Sequence, residues 1–502
     1  MDNELHVLNA IAQDIAQVAR GMGLDFYPVN FEIVPAEALY TFGAYGMPVR
    51  FTHWSFGKAF YRMKTQYDLN LSRIYELVIN TNPAYAFLLE GNHQTQNKLV
   101  IGHVYAHVDF FKNNYYFSRT PKDMVERMAA HSEKIREYEL KYGRECVEQI
   151  LDAVLAIQEH VDYRSHINTS SKMENIPKVR GPFKDGGSAC HCNSCTGGQS
   201  CAGECTSGNC SDGNSNLKEH RNRKPQLKVR KKRRVSLPYE DLWGDLLEDE
   251  SNILPTEEYE DLLLYIIKFA PGLEEWQRDI VSIVREESLY FYPQIETKII
   301  NEGWATFWHA RIMRELDLTD AESLDFALMH SQVVQPSRMG LNPYYLGVKL
   351  WEDIAKRKPI AELFELRETE NDLSFIRNHL NRELVEELNM FNFRKVGAHW
   401  QVTDNDWEKV RDNLVKQLVN GGNPRIVVLE GDYEGKGGLY LKHRHEGVDL
   451  DLVYLEKTLN LVQSLWGKTV VLETVVDGKK VIFESFNGLV SRRHQANQNI
   501  EK

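Results

Sequence analysis

Hydrophobic residues recur at helical spacing through most of the first 170 residues. The spacing is clear near the start, at Ile11, Ile15, Val18 and Ala19, and it gives that segment the single apolar face of a helix. Further helices are predicted at 57–67, 72–79, 97–114 and, as two long charged helices, within 122–165. Residues 27–54 instead combine Gly, Pro and aromatic side chains, which favours an extended or looped segment.

The helical pattern disappears between residues 184 and 236. The first half of this insert consists mainly of Gly, Ser and Cys, and the second half carries ten Lys or Arg between Lys218 and Arg234. Neither half has enough apolar surface to offset the entropy lost when a chain is ordered. We therefore expect both halves to be disordered in isolation.

Helical spacing resumes after residue 237 and later gives way to alternation. The predicted helices cover 259–294, 296–316, 320–331, 343–357, 372–388 and 405–420. Four segments then alternate as strands, at 425–433, 437–445, 468–476 and 479–486, with a helix at 449–466 between the two pairs. Asp477 and Gly478 are a strong signal for a hairpin turn between the last two strands.

These elements predict a mainly α fold, with a large helical body and a smaller C-terminal α+β domain of order α-β-β-α-β-β. Four parts are expected along the chain. They are an N-terminal helical part at 1–183, the insert at 184–236, a second helical part at 237–402 that packs on the first, and the α+β domain at 403–490.

Composition narrows the class of protein. The chain is 42% hydrophobic, and no apolar run approaches the roughly 18 residues that a membrane span needs. Its acidic start lacks the basic and apolar regions of a signal peptide, and only Cys146 of seven cysteines lies outside the insert. Both features predict a cytoplasmic protein. A net charge of −12 means that general nucleic-acid binding is not expected.

The first candidate site is a pair of histidines. The sequence lacks the P-loop, nucleophile-elbow and H-E-x-x-H motifs, so those enzyme classes are excluded. His103 and His107 are four residues apart on a predicted buried helix, with Asp109 just beyond, so both imidazoles share one face and can bind one divalent ion. Each histidine can instead be a buried residue bonded to the backbone, or an exposed polar position.

A second pair lies about 200 residues further on. Glu302 and His309 are two helical turns apart and share one helix face. Together with His103 and His107 they make a ligand set suited to Zn, Mn or Fe, with Glu302 also the candidate catalytic carboxylate. The open alternative is that Glu302 caps a helix or forms a salt bridge and that His309 packs on a neighbouring tryptophan.

Other polar residues are weaker candidates. Four charged residues near the second pair can supply a further ligand or a general base, or form a structural ion network: Arg285, Glu286, Glu287 and Lys298. Two residues just ahead of the histidine helix are further candidate ligands, Glu90 and His93. Two histidines share one face of a predicted strand, and their role is open: His443 and His445.

The insert holds a separate group of thiols, Cys190, Cys192, Cys195, Cys201, Cys205 and Cys210. Thiolates this close together can bind Zn or an Fe–S cluster, but the paired knuckles of a zinc domain are missing. A flexible, redox-labile linker is therefore the alternative. The basic run that follows can contact nucleic acid or anionic lipid weakly, or it is a solvated linker.

Several long, aromatic-rich phrases resemble the SpoVR (stage V sporulation protein R) family. They lie in the same order at 53–58, 107–117, 276–287, 290–309 and 342–347, and in the tail from 437 to about 475. The resemblance implies a cytoplasmic protein that spore formers need for spore cortex formation, with a broader stress or stationary-phase role in bacteria that make no spores. It also implies a serine kinase, encoded nearby in the family, as a candidate partner. It supplies no assigned reaction, and the insert matches none of the phrases.

Two classes of function stay open at this point. In one, the protein is a metal-dependent enzyme, hydrolytic or oxidative, with the two histidine-bearing pairs around the ion. In the other, it is a non-catalytic regulator or scaffold that acts through a partner such as the kinase, and the polar residues are structural.

Because the insert lacks apolar periodicity, we expect it to be dispensable for folding. Deletion of 186–235, with a short Gly/Ser linker in its place, should move the main thermal transition by less than about 2 °C. Circular dichroism during heating measures this. A loss of the helical signal at room temperature would show that the cysteines organise a domain.

Overall fold

The helical periodicity seen in the sequence is realised over most of the chain. The computed structural model describes residues 2–69, 76–164, 258–336, 341–396, 399–404 and 406–494. Residues up to 163 and from 249 onward belong to one unit. The predicted insert at 184–236, with its six cysteines and its basic run, lies outside the described residues.

The helices before the insert carry most of the N-terminal part. They are α1 (Asp2–Gly21), α2 (Ala36–Tyr45), α3 (Trp54–Asp68), α4 (Gln94–Asn113), α5 (Met124–Tyr142) and α6 (Arg144–Leu155). Those after it are α7 (Leu262–Phe269), α8 (Glu275–Glu296), α9 (Lys298–Glu315), α10 (Asp320–Val333), α11 (Pro343–Arg357), α12 (Ile360–Thr369), α13 (Asp372–His379), α14 (Arg382–Glu387), α15 (Trp407–Leu418) and α16 (Leu452–Trp466).

The strands of the described residues form three sheets. A small sheet has the order β1-β3-β2, from β1 (Val29–Val34), β2 (Glu76–Ile79) and β3 (Ala84–Leu89), with β1 parallel to β3. A hairpin joins β4 (Asn392–Val396) and β5 (His399–Asp404). The C-terminal sheet has the order β10-β9-β8-β7-β6, from β6 (Ile426–Tyr433), β7 (Gly438–His443), β8 (Val470–Val476), β9 (Lys479–Phe486) and β10 (Leu489–His494).

The predicted fold class is confirmed: the body is helical, and the C-terminal sheet has helices α15 and α16 in the predicted order. Strands β7 and β8 are parallel, so α16 forms the crossover between them. Asp477 and Gly478 have φ values of 51° and 75°, which is the left-handed backbone of a tight hairpin turn. The prediction omitted β10, which extends the sheet beyond β9.

Two local predictions were wrong. Residues 72–79 were expected to be helical, but 76–79 form β2, which pairs with β3. The short apolar run at 77–79 fits either structure, and only the pairing partner decides between them. Residues 36–45, expected to be extended or looped, form helix α2, which begins after Pro35 and ends at Gly46 with φ 77°.

Three hydrophobic clusters hold these elements together. The first joins α1, α4, α9 and α11 and contains the fully buried Trp304 and Trp351. The second joins α6, α7 and α8 to the C-terminal sheet and α16, with Trp466 and Phe483 at its centre. The third, smaller cluster lies between α2, the N-terminal sheet and α5. Helices on both sides of the insert thus share each of the two large cores.

Helices α9 and α11 cross at a pair of glycines. A Cβ added at Gly303 would lie 2.7 Å from the carbonyl oxygen of Gly347, and one added at Gly347 would lie 2.7 Å from the Cα of Gly303. Real Cβ atoms do not approach backbone this closely, so only glycine permits the crossing. The close crossing brings Tyr344, one turn before Gly347, toward Glu302.

No helix in the described part of the chain has both the length and the apolar character that crossing a membrane requires.

The glycine crossing predicts a large effect from one methyl group. Gly303→Ala should destabilise the protein by about 3 kcal/mol or more, because two backbones would have to separate in a packed core. Gly57→Ala is the matched control, since Gly57 lies inside α3 and a Cβ there meets nothing within 4 Å. That change should stabilise by about 0.5–1 kcal/mol. Urea denaturation measures both, and equal effects would contradict the proposed crossing.

Candidate metal centre

Helix α4 carries the first two ligand candidates into the first core. It begins at a capping box, in which the His93 side chain accepts from the backbone N–H of Gln96 and the Gln96 side chain accepts from that of His93. Every residue from 99 to 111 is buried. His103 and His107, one turn apart, are 3% and 8% exposed, and their rings pack edge to face with centroids 4.5 Å apart.

Helix α9 brings Glu302 against this pair. Its start is fixed by Asp372, whose carboxylate accepts hydrogen bonds from the backbone N–H groups of Ile299 and Ile300 at 2.9 and 2.8 Å. A carboxylate there also interacts favourably with the helix dipole. Burial raises the pKa of Asp372 to about 7, against the effect of those two bonds. Glu302 then lies in the second turn of α9, facing α4.

Three donor atoms converge between the helices. Glu302 Oε2 lies 3.6 Å from His103 Nε2 and 3.3 Å from His107 Nε2. Ligands around a tetrahedral zinc ion, with bonds of about 2.0–2.1 Å, lie about 3.3 Å apart. His103, His107 and Glu302 are the one group of three potential ligands within 4.8 Å of one another among the described residues. The spacing therefore fits a single divalent ion.

The other ring nitrogens are already engaged. His107 Nδ1 donates to Asn301 Oδ1 at 2.9 Å, and His103 Nδ1 is 2.9 Å from Nδ1 of His309. These bonds orient both imidazoles with Nε2 toward Glu302. Histidines that bind metals usually have such an outer partner on the second nitrogen, which fixes the tautomer and the ring plane.

Burial and mutual interactions shift the pKa values of all three candidate ligands. Burial, assisted by His107, lowers the pKa of His103 to about 4. Burial alone would lower the pKa of His107, but the Glu302 carboxylate outweighs it and raises that pKa. Burial alone would raise the pKa of Glu302, yet the two imidazoles hold it below its usual range. Glu302 is thus ionised and His103 neutral at neutral pH, as metal binding requires, whereas an ion would have to displace the proton that Glu302 favours on His107.

Two further residues at the site were missed by the sequence reasoning. The Tyr344 ring stacks over His103, with centroids 6.0 Å apart, and the Glu302 charge and burial raise the pKa of its phenol well above the usual value. Burial and the Glu302 charge raise the pKa of Glu76, on β2, to about 7. Tyr344 lies in one of the aromatic-rich phrases, which was the available signal. Glu76 lay in a segment predicted to be helical.

His309 has a different place from the one predicted. Its Nδ1 faces His103, and its Nε2 is 3.0 Å from Nδ1 of His330, a half-buried histidine on α10. Burial and the neighbouring histidines lower the pKa of His309 well below its usual value. With both nitrogens directed at other imidazoles, His309 lies behind His103 and is not placed to bind the same ion as Glu302.

The candidates around α4 have structural contacts. Asp109 accepts hydrogen bonds from Trp304 Nε1 at 2.9 Å and from the backbone N–H of Asp25 at 2.7 Å, and it forms an ion pair with Arg367. It therefore holds α4 against α9. His93 caps α4, and Glu90 is exposed in the preceding turn. None of these three carboxylate and imidazole groups joins the converging donors.

The charged candidates on α8 form a second buried cluster. Glu286 binds Arg127 at 2.9 Å and Glu287 binds Arg50 at 2.7 Å, while His131 lies 3.3 Å from each carboxylate. Here two guanidinium groups offset the carboxylates, so the arrangement is that of a structural ion network. The other two charged candidates lie apart: Arg285 pairs with Asp261 at 2.7 Å, and Lys298 is exposed.

Comparison with known proteins gives two family matches. The family described as "SpoVR like protein" matches residues 2–423, and that described as "SpoVR-like C-terminal domain" matches residues 424–477. The Escherichia coli (strain K12) protein named "Uncharacterized protein YcgB" is 29% identical over 518 residues, which cover 93% of this chain and 91% of that protein. No solved structure matches the chain.

The second cluster predicts a pH-dependent stability. Burial alone would lower the pKa of His131, but Glu286 and Glu287 outweigh it and raise it to about 9. A histidine whose pKa is higher in the folded state than in the unfolded state gives its full stabilisation below the unfolded pKa of about 6.5. That stabilisation is lost as the pH rises through the folded pKa of about 9. His131→Gln should therefore cost on the order of 3 kcal/mol near pH 6 and much less above pH 9.5.

Urea denaturation of both proteins across this pH range measures the difference. His6→Gln, on the exposed part of α1, is the matched control. A cost from His131→Gln that is the same at every pH would show that the residue acts by packing alone.

Proposed function

The chain belongs to the SpoVR-like protein family, and from that premise we propose that it is a metal-dependent enzyme, hydrolytic or oxidative, that acts in sporulation and in spore cortex formation. The ion would be held by His103, His107 and Glu302. Family membership alone assigns no chemistry. The argument for an enzyme comes from the polar group between α4 and α9.

One observation carries the proposal. His103 Nε2 and Glu302 Oε2 are buried, and within the described part of the chain neither makes a hydrogen bond of good geometry, although Glu302 Oε2 lies 3.3 Å from His107 Nε2. Leaving such atoms unpaired costs a protein on the order of 1–3 kcal/mol each. They face each other at 3.6 Å, beside the third donor, His107 Nε2. A divalent cation at their centre would satisfy all three donors at once.

The donor set also suits the ion. Two imidazoles and one carboxylate bind Zn in hydrolytic enzymes and Fe in non-haem oxygenases, and both kinds of site keep open positions for water or substrate. A bound ion of this kind would activate a water molecule or polarise a carbonyl group. The identity of the metal thus separates the hydrolytic from the oxidative form of the proposal.

The surrounding residues have defined tasks in this proposal. Asn301 holds the His107 imidazole in position, and His309 holds that of His103. Each contact is made to the Nδ1 atom of the ligand histidine. Tyr344 covers His103 and directs its phenol at the Glu302 carboxylate, which keeps the phenol protonated. The apolar first core around them excludes bulk water, which strengthens each electrostatic contact.

The biological part of the proposal rests on the family. The family's name points to sporulation, and the resemblance of this chain to the family points to spore cortex formation. A cell-wall precursor or peptide is therefore the expected substrate. A cytoplasmic location is supported by Cys146, the one cysteine outside the insert, which is a free thiol. The serine kinase remains the expected partner.

Metal analysis tests the proposal directly. Purified full-length protein, and the variant lacking 186–235, should each contain about one Zn, Mn or Fe per chain by elemental analysis. His107→Ala combined with Glu302→Gln should reduce this to less than about a tenth, because two of three ligands are lost. Melting temperatures show whether the variant remains folded.

His131→Gln is the matched control, since it removes a buried histidine beside two glutamates from the other cluster. It should leave the metal content unchanged. Metal that disappears with the insert would place the ion on the thiols instead. If the wild-type protein is folded but holds no metal, and if its role in sporulation survives Glu302→Gln, the non-catalytic regulator would be favoured.

A further inference from the structure

A second site, unrelated to the metal ligands, lies beside the C-terminal sheet. A cavity of about 740 Å³ opens between the residues after α6, the segment 416–426, strand β7 and helix α16. Cavities of about 300–1,000 Å³ are typical of small-molecule sites. The boundary between the two matched families, at 423/424, falls within its wall. A ligand here would contact both segments of the chain.

The inner wall of the cavity is apolar. It is formed by side chains of the second core, among them Ile157, Leu262, Leu441, Leu455 and Leu459. They come from helices α7 and α16, strand β7 and the turn that follows α6, so most of this wall is built on regular elements. Such a wall favours the apolar body of a ligand.

Two histidines interrupt this wall. His443 is 6% exposed, and its Nδ1 is 2.9 Å from Thr474 Oγ1. Among the described residues, none hydrogen-bonds to His443 Nε2 or to either ring nitrogen of His160. Burial, with each histidine near another, lowers the pKa of both to about 4. Two neutral imidazoles thus have hydrogen-bonding capacity to offer inside an apolar cavity.

The charged residues at the rim already have partners. Arg425 pairs with Glu260, and Arg444 pairs with Glu258. Asp451 accepts hydrogen bonds from the first backbone N–H groups of α16.

The other charged residues at the rim are paired, neutral or opposite in sign. Asp449 accepts from His445 at 2.6 Å and from the backbone N–H of Asp477 at 3.0 Å. Burial raises the pKa of Glu159, which favours its neutral form. Lys416 and Glu446 also line the rim and are opposite in sign. The cavity therefore has no excess of one charge to attract a ligand ion.

We propose that this cavity binds an uncharged small organic molecule with an apolar body and a hydroxyl or carbonyl group that meets His443 and His160. The apolar body would lie on the leucine-rich wall, and the polar group would pair with the imidazoles. Because the wall includes both matched segments, the bound molecule would also stabilise their contact.

Nile red, an uncharged apolar dye with a carbonyl group, is a suitable probe for the full-length protein. Its fluorescence should rise saturably, with about one dye bound per chain. Thr458→Trp, which fills the cavity from α16, should weaken binding about tenfold or more. Lys457→Trp is the matched control: it adds the same side chain one residue earlier, on the exposed surface, and should leave binding unchanged. Gln417→Trp blocks the opposite wall and decides the matter if Thr458→Trp does not fold.

Three results would overturn the proposal. If the fluorescence of Nile red does not saturate, the cavity is not its site. The same follows if the dye binds Thr458→Trp and Lys457→Trp as tightly as it binds the wild type. Tighter binding of the anionic dye 1-anilinonaphthalene-8-sulfonate would show that the preferred ligand is charged. Binding of Nile red that weakens severalfold in His160→Leu would support the role of the imidazoles.

Discussion

The contact between α4 and α9 buries two imidazoles and a carboxylate in an interior that is otherwise hydrophobic, and much of the helical body is arranged around that constraint. Burying such groups is costly unless each polar atom finds a partner. Asn301 and His309 satisfy the outer nitrogens of the two imidazoles, while Asp109 joins the two helices through Trp304. The remaining polar atoms are His103 Nε2, His107 Nε2 and Glu302 Oε2, and these converge on one point.

The same helices explain why the convergence is rigid. Asp372 fixes the first turn of α9 through two backbone N–H groups, and the glycine crossing brings α11 close enough for Tyr344 to cover His103. Sites carried by packed helices hold their geometry better than sites on loops. The arrangement between α4, α9 and α11 thus has the preorganisation that binding an ion requires.

Two buried clusters in this protein use the same residue types for different ends. Glu286 and Glu287 face His131, but Arg50 and Arg127 offset their charge. No arginine or lysine forms an ion pair with Glu302 within the described residues, and the groups that face it are imidazoles, which can give up a proton when a cation binds. The comparison shows that the balance of charge, rather than the presence of histidine and glutamate, distinguishes a structural network from a ligand site.

The sequence by itself determined the fold class and most of the helices, because periodicity and turn residues such as Asp477-Gly478 act locally. It also put His103 and His107 on one helix face, since spacing on a helix fixes which side chains share a face, and it named Glu302 as a candidate, but only the tertiary structure brought Glu302 to the two histidines. Tertiary structure alone decided that β2 is a strand, because its pairing partner lies elsewhere in the chain. Only tertiary structure also showed that His309 lies behind His103, that Tyr344 and Glu76 face the site, and that Glu286 and Glu287 belong to a neutralised network. Each of these depends on contacts between segments far apart in sequence, which no local pattern encodes.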